Sequence, residues 1–186
     1  KNGRPGPVWV DIPLDVQAVE IDPDKLERFI PVDSLVDLSE TVNDVIEALN
    51  QAERPVVLVG NGVRLSKAIE PFLTLLRSLK VPVLTTWKSI DFLAEDHPLF
   101  VGRPGGVGQR GANFTQQNSD FLICIGARLD HGQTAYQHKF FARGATKVIV
   151  DVDQGEINKL EMDIKFPIPA DAGVFIGEML KQKDKI

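Results

Sequence analysis

Three short apolar runs, each ending in a glycine or an acid, constrain this chain more than anything else in it. Pro55-Val56-Val57-Leu58-Val59 leads into Gly60-Asn61-Gly62. Phe121-Leu122-Ile123-Cys124-Ile125 leads into Gly126-Ala127-Arg128, and Lys147-Val148-Ile149-Val150 into Asp151-Val152-Asp153. A strand with one wet face alternates apolar and polar residues. These runs do not alternate, so both faces are buried, the condition of a parallel strand between two layers of helices. Open parallel sheets bind ligands at the carboxyl ends of their strands, where these glycines and acids fall.

The segments between the runs carry a helical period. Val42, Val45, Ile46 and Leu49 form one amphipathic stripe, with Ser39 or Thr41 as the expected cap. Ile69, Phe72, Leu73, Leu76 and Leu79 mark a second helix, which admits Pro71 only in its first turn. Residues 81–86 read as a further strand. A glycine-rich loop over 102–111 leads into a polar helix near 112–118, and a loop with a short helix runs through Phe141. A short helix around Ile157 and Leu160, a weak strand over 164–168 and a helix carrying Val174, Phe175, Met179 and Leu180 close the chain. Strand and helix thus alternate. The prediction is an α/β fold: a Rossmann-like doubly wound parallel sheet with helices on both faces, three layers α/β/α, joined by right-handed crossovers.

Residues 1–38 break this pattern. Pro7-Val8-Trp9-Val10-Asp11-Ile12-Pro13 reads as a short strand closed by a proline turn. Residues 14–38, with Pro23 and Pro31, read as an extended interdomain linker, long for a loop inside a compact domain. The compact unit is expected over 39–186. The first residue is Lys1 rather than Met, which suggests a piece of a larger protein.

A net charge of −5 with no basic cluster argues against nucleic acid and anionic membranes as partners. The single cysteine, Cys124, lies inside an apolar run and reads as a core residue rather than a nucleophile. It permits no internal disulfide and fits a reducing, cytoplasmic setting. His97, His131 and His138 have no metal-ligand spacing, and no G-x-S-x-G elbow is present.

Four loops are candidate sites. Gly60-Asn61-Gly62 reads either as a tight turn or as a close backbone approach to phosphate or ribose. The full G-x-G-x-x-G pattern fails, because Leu65 takes the third glycine's place. The loop from Gly102 and Arg103 to Arg110 and Gly111 lacks the P-loop pattern, but its glycines and arginines suit a diphosphate. Arg128 either meets a phosphate or pairs with Asp130. Asp151 suits ribose hydroxyls, and Asp153 suits a helix cap.

Taken together these segments resemble the central domain of thiamine-diphosphate-dependent enzymes of the acetolactate synthase type. Gly3-Arg4-Pro5-Gly6-Pro7-Val8-Trp9-Val10-Asp11-Ile12-Pro13 resembles the end of that family's pyrimidine-binding domain. Arg54 through Val63, 81–86, 119–130, 148–157 and Ile168-Pro169-Ala170-Asp171-Ala172 are similar to successive strands and turns of its central domain. The resemblance implies a three-domain subunit in a homo-oligomer, with thiamine diphosphate and Mg2+ held by the flanking domains. It implies that this domain is structural and catalytically silent alone, with FAD, or ADP in other members, in its crevice. Carried over by position, the ligand contacts would be Gly60, Asn61 and Gly62; Thr86 and Trp87; Gly102 and Arg103; Gly126, Ala127, Arg128 and Asp130; Asp151 and Val152; and Asp171 and Ala172. Two stretches depart from the flavin-binding members, Phe100-Val101-Gly102-Arg103-Pro104-Gly105-Gly106 and Asp130-His131-Gly132-Gln133-Thr134. They point to another substrate, or to an empty or ADP-type site. Two other readings stand beside this one: a ligand-free scaffold and assembly module, and a free-standing NAD-binding domain.

Overall fold

The computed structural model describes residues 4, 6–30 and 36–186. The chain divides into two units, Lys1–Leu35 and Val36–Ile186.

In the first unit, residues 6–13 are irregular and exposed, not the expected strand. A strand exists only when a neighbour takes up its N–H and C=O groups, and no partner strand lies beside this segment among the described residues. The chain instead turns into a one-turn helix, α1 (Leu14–Gln17), where Val16 N and Gln17 N donate to Pro13 O. Four residues are too few to show a period. A 3-10 turn follows at Pro23–Lys25, with Asp22 accepting from Asp24 N and pairing with Lys25 at 3.0 Å. These turns interrupt the expected extended linker. Trp9 is 91% exposed and Phe29 81% exposed.

The second unit runs α2 (Ser39–Asn50), β1 (Pro55–Val59), α3 (Gly62–Leu65), α4 (Ile69–Leu79), β2 (Val83–Thr85), β3 (Phe100–Gly102), α5 (Arg110–Asn118), β4 (Phe121–Ile125), β5 (Thr146–Asp151), α6 (Gln154–Asn158), β6 (Phe166–Pro169) and α7 (Ala172–Lys181). The six strands form one sheet in the order β3-β2-β1-β4-β5-β6, and every neighbouring pair is parallel. That is the order of the doubly wound dinucleotide-binding sheet, with its switch point between β1 and β4.

The two faces of the strands serve two separate cores. Val57, Val59, Val83, Ile123, Ile125, Val148 and Val150 pack with the buried stripes of α2, α4 and α7. Val56, Leu58, Leu84, Leu122, Cys124 and Ile149 pack with Ala112 of α5, Ile157 of α6 and Phe141. Alternate residues of one strand are therefore buried on opposite sides, which is why the runs show no polar position. The three-layer reading holds. Cys124 is fully buried and burial pushes its thiol up, so it is an inert core residue.

Local differences from the expected elements have simple causes. Neither Ser39 nor Thr41 caps α2, whose N-cap position is Leu38; just ahead of it Asp37 Oδ1 accepts from Ser39 N at 2.9 Å. Pro71 is the third residue of α4 and lies in its first turn, as required. β2 is shorter than expected, and β6 lies at Phe166–Pro169 rather than 164–168. β3 was not expected: its apolar run, Leu99-Phe100-Val101, is short, and the three-residue strand is only partly buried at an edge of the sheet.

Asp120, just before β4, joins the starts of two strands. Its carboxylate accepts from Glu53 N at 2.9 Å and Arg54 N at 2.8 Å. Burial pushes its pKa up, but these backbone donors and the Arg54 charge outweigh that and hold it below the usual carboxylate range. A depressed folded-state pKa means the stabilisation is complete above the unfolded value of about 3.9. It is lost as pH falls through the lower folded value. Urea midpoints measured between neutral and strongly acid pH should fall more steeply for the wild type than for Asp120→Asn. Equal slopes would remove Asp120 from the acid response.

Candidate functional site

The carboxyl ends of all six strands lie along one edge of the parallel sheet, and the predicted site residues all follow them. Gly60, Asn61 and Gly62 follow β1; Thr86 and Trp87 follow β2; Gly102 ends β3 and Arg103 follows it. Gly126, Ala127, Arg128 and Asp130 follow β4. Asp151 ends β5 and Val152 follows it, and Asp171 and Ala172 follow β6. Backbone bonds tie neighbouring ends together: Thr86 N to Val59 O, Gly60 N to Ile125 O, Gly126 N to Val150 O and Ala170 N to Asp151 O, all 2.9–3.0 Å.

At the switch point the glycines have a definite steric role. Gly62 N donates to Gly126 O at 3.0 Å. A Cβ on Gly62 would come within 2.7 Å of Gly126 Cα, and one on Gly126 within 2.8 Å of Gly62 Cα. Gly60 is closed in the same way by Gly126 O and the Ala127 backbone. The close approach these glycines permit is thus between two loops of the protein itself. Gly126 also needs its φ of +58°.

The charged residues have partners that sequence spacing did not reveal. Arg128 pairs with Glu156 at 2.9 Å, not with Asp130, and this hydrogen bond pushes the guanidinium pKa up. Glu156 also pairs with Lys159; burial pushes its carboxyl up, but the two cations bring it below the usual range. Asp130 Oδ1 accepts from Gln133 N at 2.9 Å and shapes its own loop. Asp151 is buried, and its Oδ1 accepts from Asp153 N at 2.9 Å. Asp153 caps α6 through Gly155 N, as expected, and Asp171 caps α7 through Gly173 N and Val174 N. Trp87 and Val152 are exposed.

Arg103 differs from the other arginines. Its side chain is 14% exposed and pairs with Glu95 at 2.9 Å, but Nη1 is buried without a hydrogen-bond partner. Thr85 Oγ1, at the end of β2, is likewise buried and unpartnered. Gly102, at φ +124°, brings this turn against Gln109, whose Oε1 accepts from Arg103 N. Gln109 is the N-cap residue of α5 and makes no side-chain cap. The turn after β3 thus joins an orphaned guanidinium nitrogen to an uncapped helix start. It suits a ligand that brings anionic oxygens.

Glu95, Gln109 and Glu156 were missed in the sequence. Glu156 carried one signal, an acid in the first turn of a helix, which complements the helix dipole. Among the described residues no group of three or more His, Cys, Asp or Glu converges as a metal site. No helix of the described residues is long and apolar enough to cross a membrane.

The family described as thiamine pyrophosphate enzyme, central domain, matches residues 42–179. The chain belongs to this family. Its relatives agree. A probable acetolactate synthase large subunit of Methanococcus aeolicus is 37% identical over 196 residues, covering 100% of this chain and 32% of the relative. The acetolactate synthase isozyme 2 large subunit of Escherichia coli (strain K12) is 36% identical over 161 residues, covering 86% of this chain and 29% of its own length. A glyoxylate carboligase of Escherichia coli O157:H7 is 34% identical, covering 86% of this chain and 27% of itself. The chain thus spans about a third of the curated relatives it matches.

The steric argument yields a direct comparison. Gly62→Ala and Gly126→Ala should each destabilise the chain by about 2 kcal/mol or more, since backbone rather than a flexible side chain blocks the added Cβ. Gly111→Ala, in open space inside α5, should be neutral or gain up to about 1 kcal/mol. Urea midpoints separate the two classes. Equal midpoints for all three variants would show that the two loops can part without loss.

Proposed function

We propose that residues 39–186 are the scaffolding central domain of an acetolactate-synthase-like enzyme, and that their crevice holds the diphosphate of an adenine nucleotide, FAD or ADP. The parent would decarboxylate a 2-keto acid and transfer the fragment to an acceptor. Thiamine diphosphate and Mg2+, bound by the flanking domains, supply that chemistry. The described residues of this chain offer no nucleophile and no acid–base pair; their part is to hold the other domains and the nucleotide. Residues 1–38 would be the end of the preceding pyrimidine-binding domain and its linker, which accounts for the exposed Trp9 and Phe29. The parent would be a cytoplasmic homo-oligomer.

The observation that carries the nucleotide assignment is Arg103 Nη1, buried without a partner at the β3 turn beside the start of α5. Phosphate oxygens satisfy such a donor, and Asp151 ends β5 at the same carboxyl edge, where an acid suits ribose hydroxyls. The ligand-free reading has its own support. The glycines at the switch point are filled by backbone, and Arg64 and Arg128 are each paired with a carboxylate.

The visible spectrum of the purified full-length parent, followed by extraction of bound nucleotide, decides between them. A flavin spectrum assigns FAD, and a colourless protein releasing ADP assigns the ADP type. Absence of nucleotide in an active parent makes the crevice a relic. If nucleotide is present, Arg103→Ala should weaken it about 10- to 100-fold, the range of a lost charge-assisted hydrogen bond. Arg128→Ala and Asp151→Asn should weaken it less. Unchanged affinity in all three would overturn the site.

A further inference from the structure

The opposite end of the sheet holds a second cavity. It has a volume of about 430 Å³ and lies against the amino ends of β5 and β6. Lys147, Arg143 and Lys165 line it, with Asp163 as the one carboxylate and Ala48 and Phe166 as apolar walls.

Lys147 is the unusual member. It is the second residue of β5, paired with Leu122 of β4, and only 4% of it is exposed. Its Nζ donates to Ala145 O at 3.0 Å. Among the described residues it makes no other hydrogen bond and no salt bridge. An ammonium carries three donors, and a buried charge with one neutral partner is costly. Burial pushes the Lys147 pKa down, and the nearby Asp163 charge only partly opposes this. The cavity lining therefore includes a buried cation with donors to spare, together with two further cations.

We propose that this cavity binds a phosphate-type oxyanion, held by Lys147 from within and by Arg143 and Lys165 from the rim. A tetrahedral dianion supplies the acceptors that Lys147 lacks and balances the surplus charge of the lining. The cavity is large enough for a phosphate carrying a small organic group. It stands at the amino end of the strands, apart from the nucleotide crevice at their carboxyl ends. Occupancy here would tie the loop before β5 to the loop before β6.

Calorimetric titration of the 186-residue chain with inorganic phosphate, at ionic strength matched with chloride, tests this. Saturable binding is expected. Arg143→Gln/Lys165→Gln, which leaves the interior untouched, should weaken it by about tenfold or more. Lys147→Met should abolish it while the sheet survives, since an apolar side chain of similar length replaces the buried charge. Arg103→Ala should leave it unchanged. Methyl phosphate binding more tightly than free phosphate would identify a phosphomonoester as the ligand, and the reverse would identify the free ion; both keep the site. No binding beyond the chloride control, or wild-type affinity in both lysine variants, overturns the proposal. Loss in Arg103→Ala with retention in Lys147→Met also overturns it, because the anion would then sit in the crevice.

Discussion

At the carboxyl ends of β1 and β4 two backbones meet with no room for a Cβ between them. Gly60, Gly62 and Gly126 make that contact, and the rest of the sheet follows from it. β1 and β4 are the central pair, and the chain winds outward from them in both directions, through β2 to β3 on one side and through β5 to β6 on the other. If the two loops could not close, the ends of the central strands would splay, and the bonds from Gly60 N to Ile125 O and from Gly126 N to Val150 O would be lost. Glycine here serves the fold before it serves any ligand. A glycine-rich turn after a buried strand is therefore weaker evidence of phosphate binding than its pattern suggests.

The electrostatics of this edge carry the same lesson. Helices that follow parallel strands begin at the carboxyl edge, so their N–H groups favour anions there. The protein supplies several of those anions itself. Asp153 satisfies the start of α6 and Asp171 the start of α7, while Asp91, Glu95 and Glu156 neutralise Arg64, Arg103 and Arg128. An incoming phosphate competes with these groups at most of the edge. Among the described residues the turn after β3 is left short of an acceptor, at Arg103 Nη1. A nucleotide bound to this domain gains most where the protein's own charges leave donors unmet.

The legible parts of this fold were those where burial dictates composition. Val56 to Val59 and Leu122 to Ile125 are apolar because each face of the sheet meets its own helical layer, so the parallel sheet could be read directly. The carboxyl-edge placement of the site residues followed from the same inference. Features that depend on contacts across the chain were hidden. Arg128 and Glu156 stand 28 positions apart, and nothing local to either names the other. The cap of α2 was misread because Ser39 is a good capping type, while Asp37 two residues earlier takes the bond. β3 was missed because its apolar run, Leu99-Phe100-Val101, is too short to tell a strand from a loop. Residues 6–13 misled in the opposite sense: their composition suits a strand, but a strand is a property of a pair.

The two ends of the sheet therefore differ in how their charge is managed. At the carboxyl edge, Arg64, Arg103 and Arg128 each pair with a carboxylate from another segment. At the amino edge, Lys147 lies within β5 itself, with its backbone in register against Leu122, and its buried side chain pairs with no carboxylate among the described residues. Asp163 acts on it only at a distance. Substituting an apolar residue would relieve this without disturbing the ladder, so the sheet itself does not require a cation at this position. The charge is explained by something outside the sheet that meets it, and the cationic rim formed by Arg143 and Lys165 indicates the sign of that partner.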